Sequence, residues 1–294
     1  MSSNEWLAEQ FEASRGHLKA VAFRILGSAG EADDAIQECW LRVSRADSGS
    51  IENLQGWMTT VLARVCLNLL RSRNSLREEA LPEEMDRRAE PNVRRGDPQE
   101  EALLAESVGL ALLVVLEQLN PAERVAFVLH DAFGVTFDEI ARIVKRSPAA
   151  TRQLASRARR RVRGGVRPRG LDLSEERQTV EAFLGALRAG DMEGLLRVLD
   201  PGVVRRADKA AEPSGIAREL RGAASVAKET MAYTRVAHIA QPVVVDEAMG
   251  FIVAPHGRLR IAIRCTVRGG KITAMDVVAD PAGLRKLKFG VPPD

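Results

Sequence analysis

Apolar positions recur at helical spacing through the first hundred and seventy residues, with almost no strict alternation. The pattern predicts helices at about 5–26, 31–45, 53–73, 100–118, 121–132, 136–144 and 148–163. Ile36, Cys39, Trp40 and Val43 give the second helix an inner face. Its outer face carries Asp33, Asp34, Gln37, Glu38 and Leu41. The third helix buries a stripe of Leu54, Trp57, Met58, Val61, Leu62, Val65 and Leu69. Thr60, Arg64, Asn68 and Arg71 make a polar-basic stripe on it, with Arg73 beside them. Beyond residue 170 the grammar changes. Val180, Phe183, Leu184 and Leu187 mark an amphipathic helix, followed by short helices near 192–199 and 223–233. Strands are expected at 243–245, 250–254, 258–268 and 271–279, and Gly269-Gly270 is a hairpin turn signal. Helices followed by antiparallel strands predict an α+β domain after an all-α region.

Two breaks divide the chain. Residues 74–98 hold Pro82, Pro91 and Pro98 with few large apolar side chains, so they read as a tether. Such a coil spans roughly 25–30 Å on average and about 80 Å fully extended. The second break is the Gly164–Gly170 stretch.

Charge sharpens the picture. The 294 residues carry a net +3, but residues 1–139 hold 14 basic and 24 acidic side chains, whereas 140–170 hold 11 basic and no acidic ones. Residues 171–294 are nearly balanced, with 18 basic and 16 acidic. Within the cationic segment, Phe137, Ile140, Ala141 and Val144 back a short helix. Ser147 and Pro148 then suit the start of another. Thr151, Ala155, Ala158 and Val162 form a thin inward stripe, which leaves Arg152, Gln153, Ser156, Arg157 and Arg160 facing elsewhere. Two helices joined by a tight turn, the second rich in arginine and amides, fit a DNA-reading helix-turn-helix. The rival is a solvated basic helix, or a patch for RNA or acidic lipid. On spacing alone, the acidic face of the second helix and the polar-basic stripe of the third are ordinary solvated surfaces.

Composition excludes several classes. With 45% hydrophobic and 28% charged residues, the chain is neither disordered nor membrane-embedded. The longest strongly apolar run, Leu110–Leu116, is too short to span a bilayer. No secretory signal is visible, and Cys39, Cys66 and Cys265 suit reduced thiols in a cytoplasm. The histidines lack metal-ligand spacing, so no metal or cofactor is expected.

Taken together, these segments resemble the extracytoplasmic-function (ECF) group of bacterial RNA polymerase sigma factors. Glu31-Ala-Asp-Asp-Ala-Ile-Gln-Glu-Cys-Trp-Leu-Arg42 resembles the group's region-two motif, and Asn53 to Arg73 resembles the helix that melts and reads the minus-ten element. Leu119-Asn-Pro-Ala-Glu-Arg124, Asp138-Glu-Ile-Ala141 and Ser147 to Arg159 resemble region four, which reads the minus-thirty-five element. The resemblance implies core-polymerase contacts at Asp33, Asp34, Gln37, Glu38 and Leu41. It implies minus-ten contacts at Arg64, Asn68, Arg71 and Arg73, and minus-thirty-five contacts at Arg152, Gln153, Ser156, Arg157 and Arg160. The implied domains are region two at 1–73, a tether at 74–98, region four at 99–166 and a C-terminal domain at 171–290.

That last domain resembles the SnoaL-like (NTF2-like) cone carried by a subset of the group, which implies control in cis without a separate anti-sigma factor. Ala80-Leu-Pro-Glu-Glu84 resembles the subset's Trp-Leu-Pro-Glu-Pro tether motif with two changes, and Asp280-Pro-Ala-Gly-Leu284 its terminal motif with three. The subset's Asp-Gly-Gly-Gly stretch is absent, and Arg206-Ala-Asp-Lys-Ala210 stands near its place. The C-terminal domain is expected to touch region two or the tether. SnoaL-like domains include cyclases, and Asp208, Tyr233, His238, Arg260, Arg264 and Asp276 are the polar groups able to face such a pocket. No motif pairs them, so no enzyme activity is expected. The rival functions are a DNA-binding regulator outside the holoenzyme and a cyclase-like enzyme. The implied partners are core RNA polymerase and promoter DNA, in the cytoplasm and away from membranes.

Overall fold

The computed structural model describes residues 3–46, 51, 53–79, 109–163, 173–214, 218–255 and 259–292. The described residues fall into two compact units. One draws on Met1–Val108 and Leu119–Arg159, the other on Gly109–Gln118 and Arg160–Asp294.

The first unit is all-α. Its long helices are α1 (Ser3–Leu26), α2 (Ala29–Val43) and α3 (Leu54–Glu79). Gly27 (φ 82°) breaks the chain after α1, and Ser28 caps α2, its Oγ accepting from the Glu31 amide. The inner face of α2 buries Ala29, Ala32, Ala35, Ile36, Cys39 and Val43. Trp40 is only half-buried, its ring tilted against Phe11 at 5.0 Å. Helix α3 departs from expectation in its buried stripe and in its length; Leu54, Trp57 and Val61 are only half-buried. Leu69 is 38% exposed, and Cys66, Leu67 and Leu70 fill the core instead. The helix also runs on to Glu79, into the segment read as tether. The rest of that segment, including the Ala80–Glu84 motif, lies outside the described residues, as does the Gly164–Gly170 break.

Helix α4 (Leu110–Glu117) belongs to the second unit. The chain returns to the first with α5 (Pro121–Phe127), which passes into a π-helical turn at Val128–Ala132 where one continuous helix was expected. Then come α6 (Phe137–Val144) and α7 (Pro148–Val162). Thr136 and Glu139 form a reciprocal capping box at the start of α6. Lys145, in the left-handed region at φ 57°, closes it and turns the chain into α7.

The second unit is the expected α+β domain. Helices α8 (Leu173–Ala189) and α9 (Met192–Val198) lead into β1 (Leu199–Ala207) and β2 (Glu219–Arg221). Helices α10 (Ala223–Thr230) and α11 (Thr234–Ala237) precede β3 (Ala240–Val245), β4 (Ala248–Val253), β5 (Ile261–Arg268) and β6 (Lys271–Val278). The short α12 (Pro281–Leu284) and β7 (Phe289–Gly290) end the fold. The sheet order is β2-β1-β6-β5-β4-β3-β7, antiparallel except between β1 and β6.

Thr179, Val180, Phe183, Leu184 and Leu187 on α8 face the sheet, and Phe183 meets Phe251 at 5.8 Å. Gly269 and Gly270 both take positive φ, as the expected hairpin turn requires. The β3–β4 hairpin turns on Asp246 and Glu247, also at positive φ, a turn the sequence did not signal. Gly250 is required by packing, because a Cβ there would strike the Ile263 carbonyl.

Helix α4 is apolar around nearly its whole circumference, and it packs against β3 and β7. Gln118, just after it, donates to the Leu287 carbonyl (2.6 Å) and accepts from the Phe289 amide (2.9 Å). The Val291 amide donates to the Val162 carbonyl at the end of α7 (2.6 Å).

Candidate functional site

Three helix faces carry the residues singled out from the sequence. On α2, Asp34 and Gln37 are exposed and Leu41 is 47% exposed. Asp33 pairs with Lys19 of α1 (3.1 Å), and Glu38 with Arg42 one turn along (2.9 Å). Beside this strip a groove of about 350 Å³ runs between α1 and α2, with Phe11, Ile36 and Trp40 lining it and Gln37 and Leu41 among its walls. The acidic face therefore carries apolar contact area, which a merely solvated face lacks.

On α3, Arg64, Asn68 and Arg71 are exposed along one face. Half-buried Trp57 lies on that same face, seven residues before Arg64. Arg73 is placed differently. Its guanidinium donates to Glu31 Oε2 (3.0 Å) and to the Leu26 carbonyl (3.3 Å), tying α3 to the α1–α2 junction. The helical phase explains this, since Arg73 falls away from the Arg64–Asn68–Arg71 line.

On α7, buried Thr151, Leu154, Ala155, Ala158 and Val162 let the backbone pack closely. Ser147 Oγ accepts from the Ala150 amide, and Thr151 Oγ1 donates to the Ser147 carbonyl. Arg152, Gln153, Ser156, Arg157 and Arg160 are exposed. The Arg152 guanidinium lies 5.6 Å from the Phe137 ring centre, which braces it. Arg157 bonds Glu123 of α5 (3.1 Å), a carboxylate only 2% exposed, and Arg159 bonds Asp131 of the π-helical turn (2.7 Å). Glu123 is a structural anchor of the helix-turn-helix that periodicity did not reveal.

In the second unit the six candidate pocket residues do not converge. Asp208 accepts from the amides of Ala211, Ala279 and Asp280, so its carboxylate is committed to backbone capping. Arg264 and Asp276 pair across β5 and β6 (2.8 Å) on the exposed sheet face, while His238 and Arg260 are exposed. Tyr233 alone packs against the core, and burial raises its hydroxyl pKa, with Glu229 adding to the effect. Near it is a pair that the sequence reading missed: Arg205, 5% exposed, bonds Glu229 at 2.9 Å. The signal was its position two residues after Val203 on β1, which places it on the inward face. All three cysteines are buried free thiols, and burial pushes Cys39 and Cys265 up to about 12. Among the described residues no cluster of three or more His, Cys, Asp or Glu could hold a metal, and no helix is long and apolar enough to cross a membrane.

Comparison with known proteins matches residues 10–76 to sigma-70 region 2 and residues 109–162 to sigma-70 region 4. The chain is 33% identical over 296 residues to a protein of Mycobacterium tuberculosis described as a probable ECF RNA polymerase sigma factor, SigI, with 98% of each chain covered. It is 36% identical over 222 residues to the ECF RNA polymerase sigma factor SigJ of the same organism, covering 74% of this chain and 70% of that one. The crystal structure of SigJ aligns over 94% of this chain and 97% of its own, with 32% identity and a TM-score of 0.46.

Proposed function

The chain belongs to the ECF RNA polymerase sigma factors, and from that membership we propose that it binds core RNA polymerase, recognises promoter DNA and starts transcription under the control of its own C-terminal domain. The observation that carries this reading is the alignment to an ECF sigma factor along 98% of both chains, sheet domain included.

The role of each face follows from its chemistry. Asp34, Gln37 and Leu41 form the centre of the polymerase-docking strip, with Asp33 and Glu38 at its flanks. Arg64, Asn68 and Arg71 contact the minus-ten element, and Arg73 supports them from within the fold. Arg152, Gln153, Ser156 and Arg160 face the minus-thirty-five element, with Arg157 both holding α7 to α5 and lying at the DNA surface. The protein works where polymerase works, in the cytoplasm.

Control in cis runs through α4. This helix lies inside the region-four match and is seated on the C-terminal sheet, while the Gln118 side chain is bonded to the Leu287–Phe289 strand. The C-terminal domain therefore acts by holding a helix of the promoter-reading module, without catalysis and without a separate anti-sigma factor. The commitment of Asp208 to capping and of Arg264 to Asp276 supports a non-catalytic role.

Co-elution with purified core polymerase tests the docking assignment. Reversing both Asp34 and Glu38 to Arg should abolish co-elution and leave the melting temperature unchanged; undiminished co-elution would remove the strip from the interface. Gln118→Ala tests the control assignment. Whole-domain deletion strips the cover from an apolar helix, so the single substitution is the cleaner probe. It should change the transcript yield per bound polymerase, and an unchanged yield would argue against control through α4.

A further inference from the structure

We propose that Phe137 is a specificity-determining positioning residue, which holds Arg152 ready to read a guanine of the minus-thirty-five element. This rests on the sigma-factor reading above and says how promoter choice is set at one base pair.

The ring is fixed from both sides along the chain. Phe137 opens α6, where the Thr136–Glu139 capping box sets its backbone. Just before it, Gly134 takes a positive φ of 66°, and the Val135 amide donates to the Leu129 carbonyl (3.0 Å). The Val135 carbonyl can only accept, so His130 Nδ1 carries the proton that it receives, at 3.0 Å. That bond orients the imidazole and lays it on Phe137, with ring centres 3.9 Å apart and planes at 27°. The Arg152 guanidinium stands over this backed, half-buried ring, 5.6 Å from its centre.

Three arginines of α7 are held by three neighbours, and the kind of neighbour decides what each can still offer. Arg157 is bonded to Glu123 and Arg159 to Asp131, so a carboxylate occupies N–H donors and offsets charge in each. An aromatic ring does neither. Against Phe137 the guanidinium keeps its charge and its donors while its plane is restrained. A bidentate contact to O6 and N7 of guanine needs that combination, because a freely rotating arginine must lose side-chain entropy to make it. Position agrees with chemistry. Arg152 lies in the first two turns of α7, the end of a recognition helix that meets base edges, whereas Arg157 and Arg159 lie beyond its middle. A phosphate contact tolerates a mobile guanidinium, since it fixes no base identity. Loss of the ring therefore reduces discrimination between bases and spares the sequence-independent attraction.

The test uses full-length protein bound to core polymerase, with a promoter duplex and its single-base substitutions across the minus-thirty-five element. Discrimination is the ratio of Kd for a substituted duplex to Kd for the matched one, read beside Kd for an unrelated duplex. Phe137→Leu keeps apolar bulk but loses the ring. It should lower the ratio at one G·C pair by roughly 2- to 5-fold, with binding to the unrelated duplex unchanged. Phe137→Tyr, which keeps a ring, should retain the wild-type ratio. Arg152→Lys, a point charge that cannot pair bidentately, should flatten the same position. Adding Phe137→Leu to it should bring no further loss. An undiminished ratio in Phe137→Leu would overturn the proposal, as would equal weakening on every duplex or losses that add in the double variant. If the wild-type protein does not bind core polymerase, the sigma-factor reading fails and the proposal with it.

Discussion

The arginines of α7 and those of the exposed sheet face share one chemistry but have different neighbours. On the sheet, Arg264 pairs with Asp276 and Arg221 with Glu219, while Arg206 lies near both carboxylates, so positive charge is neutralised locally. On α7, which carries no acidic residue of its own, Arg157 and Arg159 pair with acids of other elements, Glu123 of α5 and Asp131 of the π-helical turn. Arg152, Gln153, Ser156 and Arg160 are left as a coherent outward strip. Counting basic residues would rank the two regions as similar. What marks a nucleic-acid surface is a helix face whose charge is not balanced along its own element.

The largest expected effect breaks that comparison directly. Arg152→Ala or Arg160→Ala should weaken binding of a specific promoter fragment by about 1–3 kcal/mol if a bidentate base contact is lost. Arg264→Ala should leave binding unchanged in the same filter or anisotropy assay. A loss uniform over all sequences would reassign the α7 residue to phosphate contact, and a matching loss at Arg264 would erase the distinction between the regions.

Next in size is the anchor beneath the strip. Glu123→Gln leaves the volume but removes the charge facing Arg157. It should destabilise the first unit by about 1–3 kcal/mol in a denaturant melt. Removing a partner from an exposed sheet pair, as in Asp276→Asn, should cost no more than about 1 kcal/mol. Equal costs would mean that burial of Glu123 adds nothing.

How much of this was legible in the sequence depends on whether a neighbour along the chain or across the fold decides. Helices α2, α6 and α7 were readable because a single buried stripe, and for α7 the Ser147 cap, set them locally; the caps at Ser28 and Thr136 emerged only from the structure. The alternation of β5 and its Gly269-Gly270 turn were equally local. Leu69 was misplaced because a helix as long as α3 packs against different partners along its length, so one stripe does not describe it. Arg73 read as a surface cation because its partners, Glu31 and the Leu26 carbonyl, lie more than forty residues away. Helix α4 looked like an ordinary member of the helix-turn-helix module. Its apolar circumference was the available sign that a second surface, the sheet, would cover it. Asp208 looked chemically available until the fold brought the amides of Ala279 and Asp280 to it.

The smallest effect concerns pH. Burial holds the His17 pKa below its usual 6.5, so the folded protein favours neutral imidazole and the unfolded chain binds more protons. The groups around it are the Thr59 hydroxyl, the Phe133 ring and, across that ring, the Arg24 cation. Its contribution is fully present above the unfolded value and is lost as pH falls below 6.5 through the depressed folded value. Melting temperatures taken at about pH 7.5 and about pH 5.5 should diverge more for wild type than for His17→Gln. An identical pH response in the two proteins would show that His17 does not sense protonation.

The central claim, that this chain gives core polymerase its promoter choice, is tested most directly by transcription in vitro on fragmented genomic DNA with purified core enzyme. The account predicts discrete transcripts that require both the protein and core polymerase and disappear when Asp34 and Glu38 are reversed to Arg. Sequence-specific DNA binding by the protein alone, with no transcript and no association with core enzyme, would contradict it.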